Sequence, residues 1–214
     1  MSSFLSRSAH RCTARRLFLV AGIVSGFALS ALTAGSAQAA LISTSACDNS
    51  ALTRPFAPWG DAGLYKLVPG GDFEGGLSGW TLSGGAHAVA GSEPYAVTGS
   101  VGSSSLALAA DASAQTPFTC VNAAYPTFRF LARDNGALST ILVAVVYRSP
   151  IGGVMTVPVG TVALGHGWAP TLPMVTASAV AGALSGGTTQ VALRFTALTG
   201  ASQIDDVFVD PRVA

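Results

Sequence analysis

The chain has 214 residues, half of them hydrophobic and only 10% charged, with a formal net charge of +1. This length suits one domain with a hydrophobic core of its own. Lys66 is the single lysine and the arginines are scattered, so no basic stripe is available for a nucleic-acid backbone. Nucleic acid is therefore excluded as a partner.

Residues 1–39 have the features of a cleavable export signal. Four arginines precede an apolar stretch at residues 17–32, and Ala37-Gln38-Ala39 is a small-x-small site, which predicts cleavage before Ala40. Glycine and serine interrupt the apolar stretch, which disfavours an uncleaved membrane anchor. The Arg15-Arg16 pair also resembles a twin-arginine signal, so either export route stays open.

Removal of this signal changes the charge of the chain. Its four arginines leave with it, so seven basic residues remain against ten acidic ones, a net charge of −3. No second apolar stretch of membrane length follows. The mature chain is therefore predicted to be secreted, without a membrane span.

Residues 40–63 predict an irregular N-terminal arm, because two prolines and a glycine between positions 55 and 60 interrupt any regular element. Two cysteines remain after cleavage, Cys47 in the arm and Cys120 further along. An even pair in an oxidising compartment predicts one disulfide, which would tie the arm to a strand. Neither cysteine lies in a C-x-x-C motif, which disfavours a metal-binding or catalytic thiol.

The remainder, residues 64–214, has short runs of alternating apolar residues between turn-forming residues, which predicts an all-β sandwich. Residues 127–133 and 190–197 each show a core face and an outer face, whereas residues 141–147 are apolar on both faces. Asp134-Asn135-Gly136 predicts a tight turn. Further strands are predicted at residues 65–68, 80–83, 86–90, 95–98, 104–109, 117–121, 154–163, 168–175 and 203–209, and one short helix at residues 178–184.

Two motifs bracket this region. Gly70-Gly71-Asp72-Phe73-Glu74 closes on Gly79-Trp80, and residues 204–210 read Ile-Asp-Asp-Val-Phe-Val-Asp. Together they resemble the first and last strands of galactose-binding-like jelly rolls, the fold of many carbohydrate-binding modules. The resemblance covers residues 64–211 and implies an antiparallel two-sheet jelly-roll β-sandwich. The same fold also carries adhesive and structural domains.

The resemblance also implies a structural calcium ion. In jelly-roll carbohydrate-binding modules such an ion commonly joins the loop after the first strand to the last strand. Carried over by motif, its side-chain ligands are Glu74 and Asp205, with Asp72 and Asp206 in reserve. Ligands that are all oxygen suit calcium rather than zinc. The alternative is that Asp72 and Asp206 face solvent at a turn and an edge.

A sugar-binding face is predicted on the outer side of a sheet. Its residues are Arg129, Tyr147, Arg148 and Arg194. Guanidinium groups supply directed donors for hydroxyls or acidic sugar groups, and a tyrosine supplies an apolar ring face. Tyr95, Tyr125 and Trp168 are further stacking candidates, although Trp168, like Trp80, is expected in the core. Alternatively, the arginines simply pair with acidic residues or water.

A hydrolase is disfavoured. Ala183-Leu184-Ser185-Gly186-Gly187 lacks the first glycine of a nucleophile elbow, and the spacing of Glu74 and Glu93 marks no glycosidase pair. Two functions remain. The first is a non-catalytic module that binds a carbohydrate or another cell-envelope component. The second is a structural or adhesive extracellular domain with no small-molecule ligand.

Overall fold

The structure is a computed structural model that describes residues 51–122, 127–136, 138–148, 153–175 and 188–210. Within these ranges the regular elements are one 3₁₀ turn and thirteen strands. The 3₁₀ turn is Ala57–Trp59, and the strands are β1 (Lys66–Leu67), β2 (Thr81–Ser83), β3 (His87–Ala90), β4 (Ser104–Leu108), β5 (Ser113–Gln115), β6 (Thr119–Asn122), β7 (Thr127–Asp134), β8 (Thr140–Arg148), β9 (Val154–Ala163), β10 (Ala169–Pro170), β11 (Met174–Val175), β12 (Thr188–Thr199) and β13 (Ser202–Val209). The predicted signal, Cys47, Tyr125 and the predicted helix lie outside these ranges. No helix in the described ranges is long and apolar enough to span a membrane.

The strands form two antiparallel sheets. One has seven strands in the order β10-β7-β13-β4-β3, with β1 on β13 and β11 on β7. The other has six strands in the order β2-β5-β12-β8-β9, with β6 on β12. The predicted two-sheet jelly roll is confirmed.

The core lies between the sheets, where the alternating residues of facing strands meet. Phe130 of β7 and Phe195 of β12 are fully buried and pack edge to face, with ring centroids 4.9 Å apart. Leu106 of β4 and Trp80, which precedes β2, join the same cluster. Burial of such side chains is the main stabilising contribution to a sandwich of this kind. Trp80 is thus a core residue, as expected.

The two bracketing motifs meet as the resemblance implied. Lys66 of β1 pairs with Val209 of β13, and Val207 exchanges backbone hydrogen bonds with Val68 and Gly71. A Cβ atom at Gly71 would lie 2.8 Å from the Val207 carbonyl oxygen, so this approach requires glycine.

The turn at residues 134–136 connects two strands of different sheets. The strand before it, β7, pairs with β13, whereas the strand after it, β8, pairs with β9 and β12. The backbone N–H of Asn135 donates to the carbonyl of Ala201. The segment is therefore an arch between the sheets, because both strands must bury one face in the shared core.

One predicted strand is absent, and one observed strand was not predicted. Residues 95–98 form a loop, since the Glu93 carboxylate accepts hydrogen bonds from the backbone N–H groups of Tyr95 and Val97 and so replaces a strand partner. Strand β5 is absent from the predictions because its Ser-Ala-Gln sequence carries almost no hydrophobic signal. Pro158 lies in the edge strand β9 beside a register shift, as proline in a strand requires.

The arm covers part of the outer face of the seven-stranded sheet. Phe56 and Tyr65 pack there against Leu131, Trp168 and Phe208 in a second buried cluster. Thus the arm contributes a small core of its own.

Candidate functional site

The four predicted sugar-binding residues do not share one face. Arg129 lies in the seven-stranded sheet, whereas Arg148 and Arg194 point outward from the six-stranded sheet. Tyr147 points inward and is only 2% exposed; burial raises its pKa to about 12. The prediction of a single face is wrong, because β7 and β8 belong to different sheets and adjacent strand residues face opposite ways.

Arg129 holds the arm on the sheet. Its Nε donates to the Thr171 carbonyl and its Nη1 to Asp61 Oδ2, both at 2.7 Å. Its guanidinium carbon lies 4.3 Å from the centre of the Phe56 ring. Burial opposes ionisation of Asp61, but hydrogen bonds from Tyr65, Gly63 and Arg129 lower its pKa overall. Arg129 is thus committed to structure.

The outer face of the six-stranded sheet carries the buried apolar residues Ala144, Val146 and Ala192 and two arginines held by neighbours. Arg194 donates from Nε and Nη2 to Oε1 of Gln115, at 3.1 and 2.7 Å. Arg148 lies over the Phe118 ring, 4.2 Å from its centre. Both guanidinium groups therefore already have a protein contact.

A different row of residues crosses the outer face of the seven-stranded sheet. The strand registers pair His87 with Ala107, Ala107 with Gln203, and Gln203 with Arg133. Directly opposed residues of antiparallel strands lie on the same face. Three strand spacings make this row about 14 Å long, since neighbouring strands lie about 4.8 Å apart. We call His87, Ala107, Gln203 and Arg133 the cross-strand row.

The row ends at an aromatic wall, which consists of Trp59, Tyr95 and Trp168. The Trp59 and Tyr95 rings pack edge to face with centroids 5.0 Å apart, and they are 36% and 48% exposed. The Tyr95 hydroxyl donates to the Trp168 carbonyl at 2.8 Å. The guanidinium of Arg133 lies 5.0 Å from the centre of the Trp168 ring. Arginine donors and aromatic faces therefore occur side by side.

A histidine–aspartate pair anchors the loop that carries Trp168. His166 Nδ1 lies 2.7 Å from Asp134 Oδ1, with the histidine exposed and the carboxylate buried. The backbone N–H of Asp134 also donates to the carbonyl of Gly165. These contacts fix the loop two residues before Trp168, at the end of the aromatic wall.

The predicted calcium ligands lie on two adjoining loops. Glu74 accepts hydrogen bonds from the backbone N–H groups of Ser103 and Ser104 and from the Ser103 hydroxyl, and these bonds lower its pKa. Asp205 accepts from the Ser92 hydroxyl at 2.8 Å. A Cβ atom at Gly102 would lie 2.5 Å from Glu74 Oε1 and 2.9 Å from Ser92 Oγ. Gly102 thus lies beside both Glu74 and Ser92, and the Ser92 hydroxyl connects this position to Asp205.

The two reserve ligands differ in burial. Asp206 is buried with a left-handed φ of 48°, so its interpretation as a solvent-facing edge residue is wrong. Burial, together with Asp205 and Glu93, raises its pKa to about 8, and burial raises that of Asp205 to about 6. Asp72 is partly exposed. Over the described ranges, no group of three or more His, Cys, Asp or Glu side chains is arranged to hold a metal ion.

Comparison with known proteins bears on the fold. No protein-family model and no curated protein matches the chain. Among solved structures, the tandem CBM22-1–CBM22-2 domain of Paenibacillus barcinonensis Xyn10C has a TM-score of 0.50 at 13% identity. The chain has the jelly-roll fold of carbohydrate-binding modules. The match covers 70% of this chain and 46% of that one.

Two further similar structures are weaker. The CBM22-1–GH10 modules of Clostridium thermocellum endo-1,4-β-D-xylanase 10B, complexed with xylohexaose, have a TM-score of 0.49 at 16% identity, over 69% of this chain and 29% of that one. A xylan-binding domain from CBM22 has a TM-score of 0.44 at 21% identity, over 72% of this chain and 99% of that one. The chain thus spans less than half of the two multidomain structures.

Sequence reasoning missed Trp59 of the aromatic wall and the cross-strand row. It named Tyr95 and Trp168 as stacking candidates, but Trp59 lies in the irregular arm, where no periodicity marks an outer face. Arg133 and Gln203 were recognisable as residues of strands, yet only the registers between β4, β7 and β13 bring them together.

Proposed function

We propose that the protein is an exported, non-catalytic carbohydrate-binding module that holds a glycan on the outer face of the seven-stranded sheet. The observation that carries this proposal is the cross-strand row beside the aromatic wall. The jelly-roll fold, shared with a tandem carbohydrate-binding domain, supports the same class of ligand.

The chemistry of this face suits a sugar. The C–H faces of a pyranose ring pack on exposed aromatic rings, and its hydroxyls need directed donors and acceptors. Trp59 and Tyr95 supply the rings, and the partly exposed Arg133, which is held by the buried Gln203, supplies the polar groups. Among the described residues, the large aromatic side chains that are exposed are Trp59 and Tyr95, and both border this face. On the six-stranded face the nearby ring, Phe118, is only partly exposed and already lies under Arg148.

Binding variants on the two faces test the proposal. The mature domain is assayed against soluble glycans and insoluble polysaccharides. We expect Tyr95→Ala to weaken retention by about two- to tenfold, from the loss of one stacking contact. Arg194→Ala, on the opposite face, is the control and should bind as the wild type does. Loss of binding in Arg194→Ala alone would assign the site to the six-stranded sheet, and failure of every polysaccharide to bind would favour an adhesive or structural role.

We also propose a structural calcium ion held by Glu74 and Asp205, with Asp72 and Asp206 as further ligands. The carboxylate and hydroxyl oxygens around Gly102 are the ligand type that calcium prefers. A cation that binds the folded state alone stabilises it by mass action. Calcium should therefore raise the melting temperature of the wild type but not that of Glu74→Gln. An unchanged melting temperature in EDTA, with no metal found by elemental analysis, would contradict this proposal.

A disulfide between Cys47 and Cys120 completes the proposal for an exported chain. Cys120 is a buried residue of β6. Its predicted partner lies outside the described ranges, so the pairing stays a prediction. Mass spectrometry of a non-reduced digest should find the linked peptide, whereas two free thiols in exported protein would contradict it.

A further inference from the structure

Within the described residues, the Arg133 guanidinium group is fixed by a hydrogen bond from Nε and by no other hydrogen bond. Its Nε donates to Gln203 Oε1 at 2.6 Å, and the group lies over the Trp168 ring. Among the described residues its two terminal nitrogens, Nη1 and Nη2, have no hydrogen-bond acceptor. Because Gln203 occupies Nε, the fork that remains open is the end-on pair Nη1 and Nη2.

Arg129 and Arg194 lack this arrangement, and no hydrogen bond fixes the exposed Arg148 among the described residues, where it lies over the Phe118 ring. Arg129 already pairs with the Asp61 carboxylate, and Arg194 donates from two nitrogens to Gln115. Arg133 combines a fixed position, partial burial and an open fork. A guanidinium that is fixed before binding loses less conformational entropy when an acceptor arrives.

The acidic groups near Arg133 are turned to other partners. Asp134, its neighbour in the chain, points inward and contacts His166. Asp205, two residues beyond Gln203, accepts from Ser92 and from the backbone N–H of Glu93. No carboxylate of the described residues therefore neutralises Arg133, which leaves a cation beside the aromatic wall.

We propose that the glycan on this face is acidic, and that a uronic acid carboxylate accepts two parallel hydrogen bonds from Nη1 and Nη2 of Arg133. Bidentate pairing of arginine with a carboxylate is the strongest directed contact that this side chain makes. The ring of the same sugar packs on the aromatic wall, and the neighbouring sugars follow the cross-strand row towards His87. This inference rests on the proposed carbohydrate-binding function and narrows it to one class of glycan.

The test compares acidic polysaccharides with their own carboxyl-reduced forms. A panel of galacturonan, glucuronoxylan and alginate, each in both forms, is titrated against the mature domain by calorimetry or affinity electrophoresis. We expect at least one acidic form to bind about tenfold to a hundredfold tighter than its reduced form, since hydrogen bonds to charged groups have that worth. The preference should shrink as salt is added.

Two variants assign the preference to Arg133. Arg133→Gln should abolish it, and Gln203→Glu should do the same because the new carboxylate pairs with the guanidinium in place of the glycan. Gln203→Glu is nearly isosteric, so it separates occupancy of the fork from loss of fold, which melting curves monitor for both variants. Arg194→Gln is the matched control and should keep the preference.

The outcomes distinguish this inference from the function beneath it. If acidic and reduced forms bind the wild type equally, the acidic ligand is wrong while carbohydrate binding stands. If Arg133→Gln keeps the preference, the pairing of the carboxylate with Arg133 is wrong. If no form of any polysaccharide binds the folded domain, both proposals fail.

Discussion

The two outer faces of the sandwich differ in what lies on them. The seven-stranded face carries the arm, with Phe56 buried against the sheet and the Arg129–Asp61 ion pair beside it. The six-stranded face presents side chains such as Arg194 and Gln115, which contact one another. The arm covers part of the outer face of the seven-stranded sheet and rises above the rest of that face. Side chains at the edge of the arm therefore form one side of a site on the uncovered part.

The largest expected effect tests whether the arm is packed on the sheet or only loosely attached to it. Phe56→Ala should lower the free energy of unfolding by about 3–5 kcal/mol, because it opens a cavity between arm and sheet. Trp59→Ala in the same arm should cost about 1 kcal/mol or less, since that side chain is partly exposed. Chemical denaturation measures both. If Phe56→Ala lowered the free energy of unfolding as little as Trp59→Ala is expected to, the arm would not be part of a core.

The next effect compares one arginine from each face. Arg129→Ala should cost about 2–4 kcal/mol, because removal of one partner of a buried ion pair leaves the other uncompensated and Asp61 is only 20% exposed. Arg194→Ala should cost about 0.5 kcal/mol or less. Unfolding midpoints in urea test the pair, and similar midpoints would remove the distinction between the faces.

A smaller effect concerns the buried carboxylates Asp205 and Asp206, which lie where the register of β13 shifts. The pKa of Asp206 is raised to about 8, so the folded state favours the protonated form. Its contribution to stability is present at low pH and is lost as pH rises through 8. In EDTA at pH 8.5, Asp206→Asn should therefore raise the melting temperature by about 2–4 °C, which corresponds to about 1 kcal/mol for a domain of this size.

Asp111→Asn is the control for this substitution, because Asp111 also has a left-handed φ, 66°, but is exposed. It should leave the pH dependence of melting unchanged. A wild type that melts at the same temperature at pH 5 and pH 8.5 in EDTA would contradict the raised pKa of Asp206.

The smallest effect tests the anchor of the aromatic wall. His166→Ala should cost about 0.5 kcal/mol, since Asp134 loses one hydrogen-bond partner, which is itself exposed. His87→Ala should cost almost nothing, because His87 is exposed and its ring bonds the Gly85 carbonyl two residues away. Melting curves compare the two, and a resonance of ¹⁹F-labelled Trp168 should shift in His166→Ala alone.

The part of this structure that sequence predicts is local. The period of two at residues 127–133 and 190–197 follows from one buried and one outer face, and both strands are present. One long-range feature comes from the resemblance of the bracketing motifs, which implies that the first and last strands meet, and the structure shows the close approach at Gly71.

The part that sequence does not predict depends on tertiary pairing. Glu93 replaces a strand partner for residues 95–98 only once the loop has closed over β13. The cross-strand row depends on the registers of three strand pairs, β3–β4, β4–β13 and β13–β7. An alternation with a period of two fits any register shifted by an even number of residues, so it does not specify them. Strand β8 is apolar on both faces, so its sequence does not show which face points into the core. The burial of Tyr147 becomes evident only from the packing of the two sheets.

The central position of β13 has a consequence for biosynthesis. This strand lies between β7 and β4 and also receives β1, yet it is made last of all the strands described. A nascent chain that ends before Ser202 has nothing to join β7 to β4. The seven-stranded sheet, with the arm and the aromatic wall that depend on it, therefore forms only after β13 has been made, and pairing between strands far apart in the sequence makes this step slow.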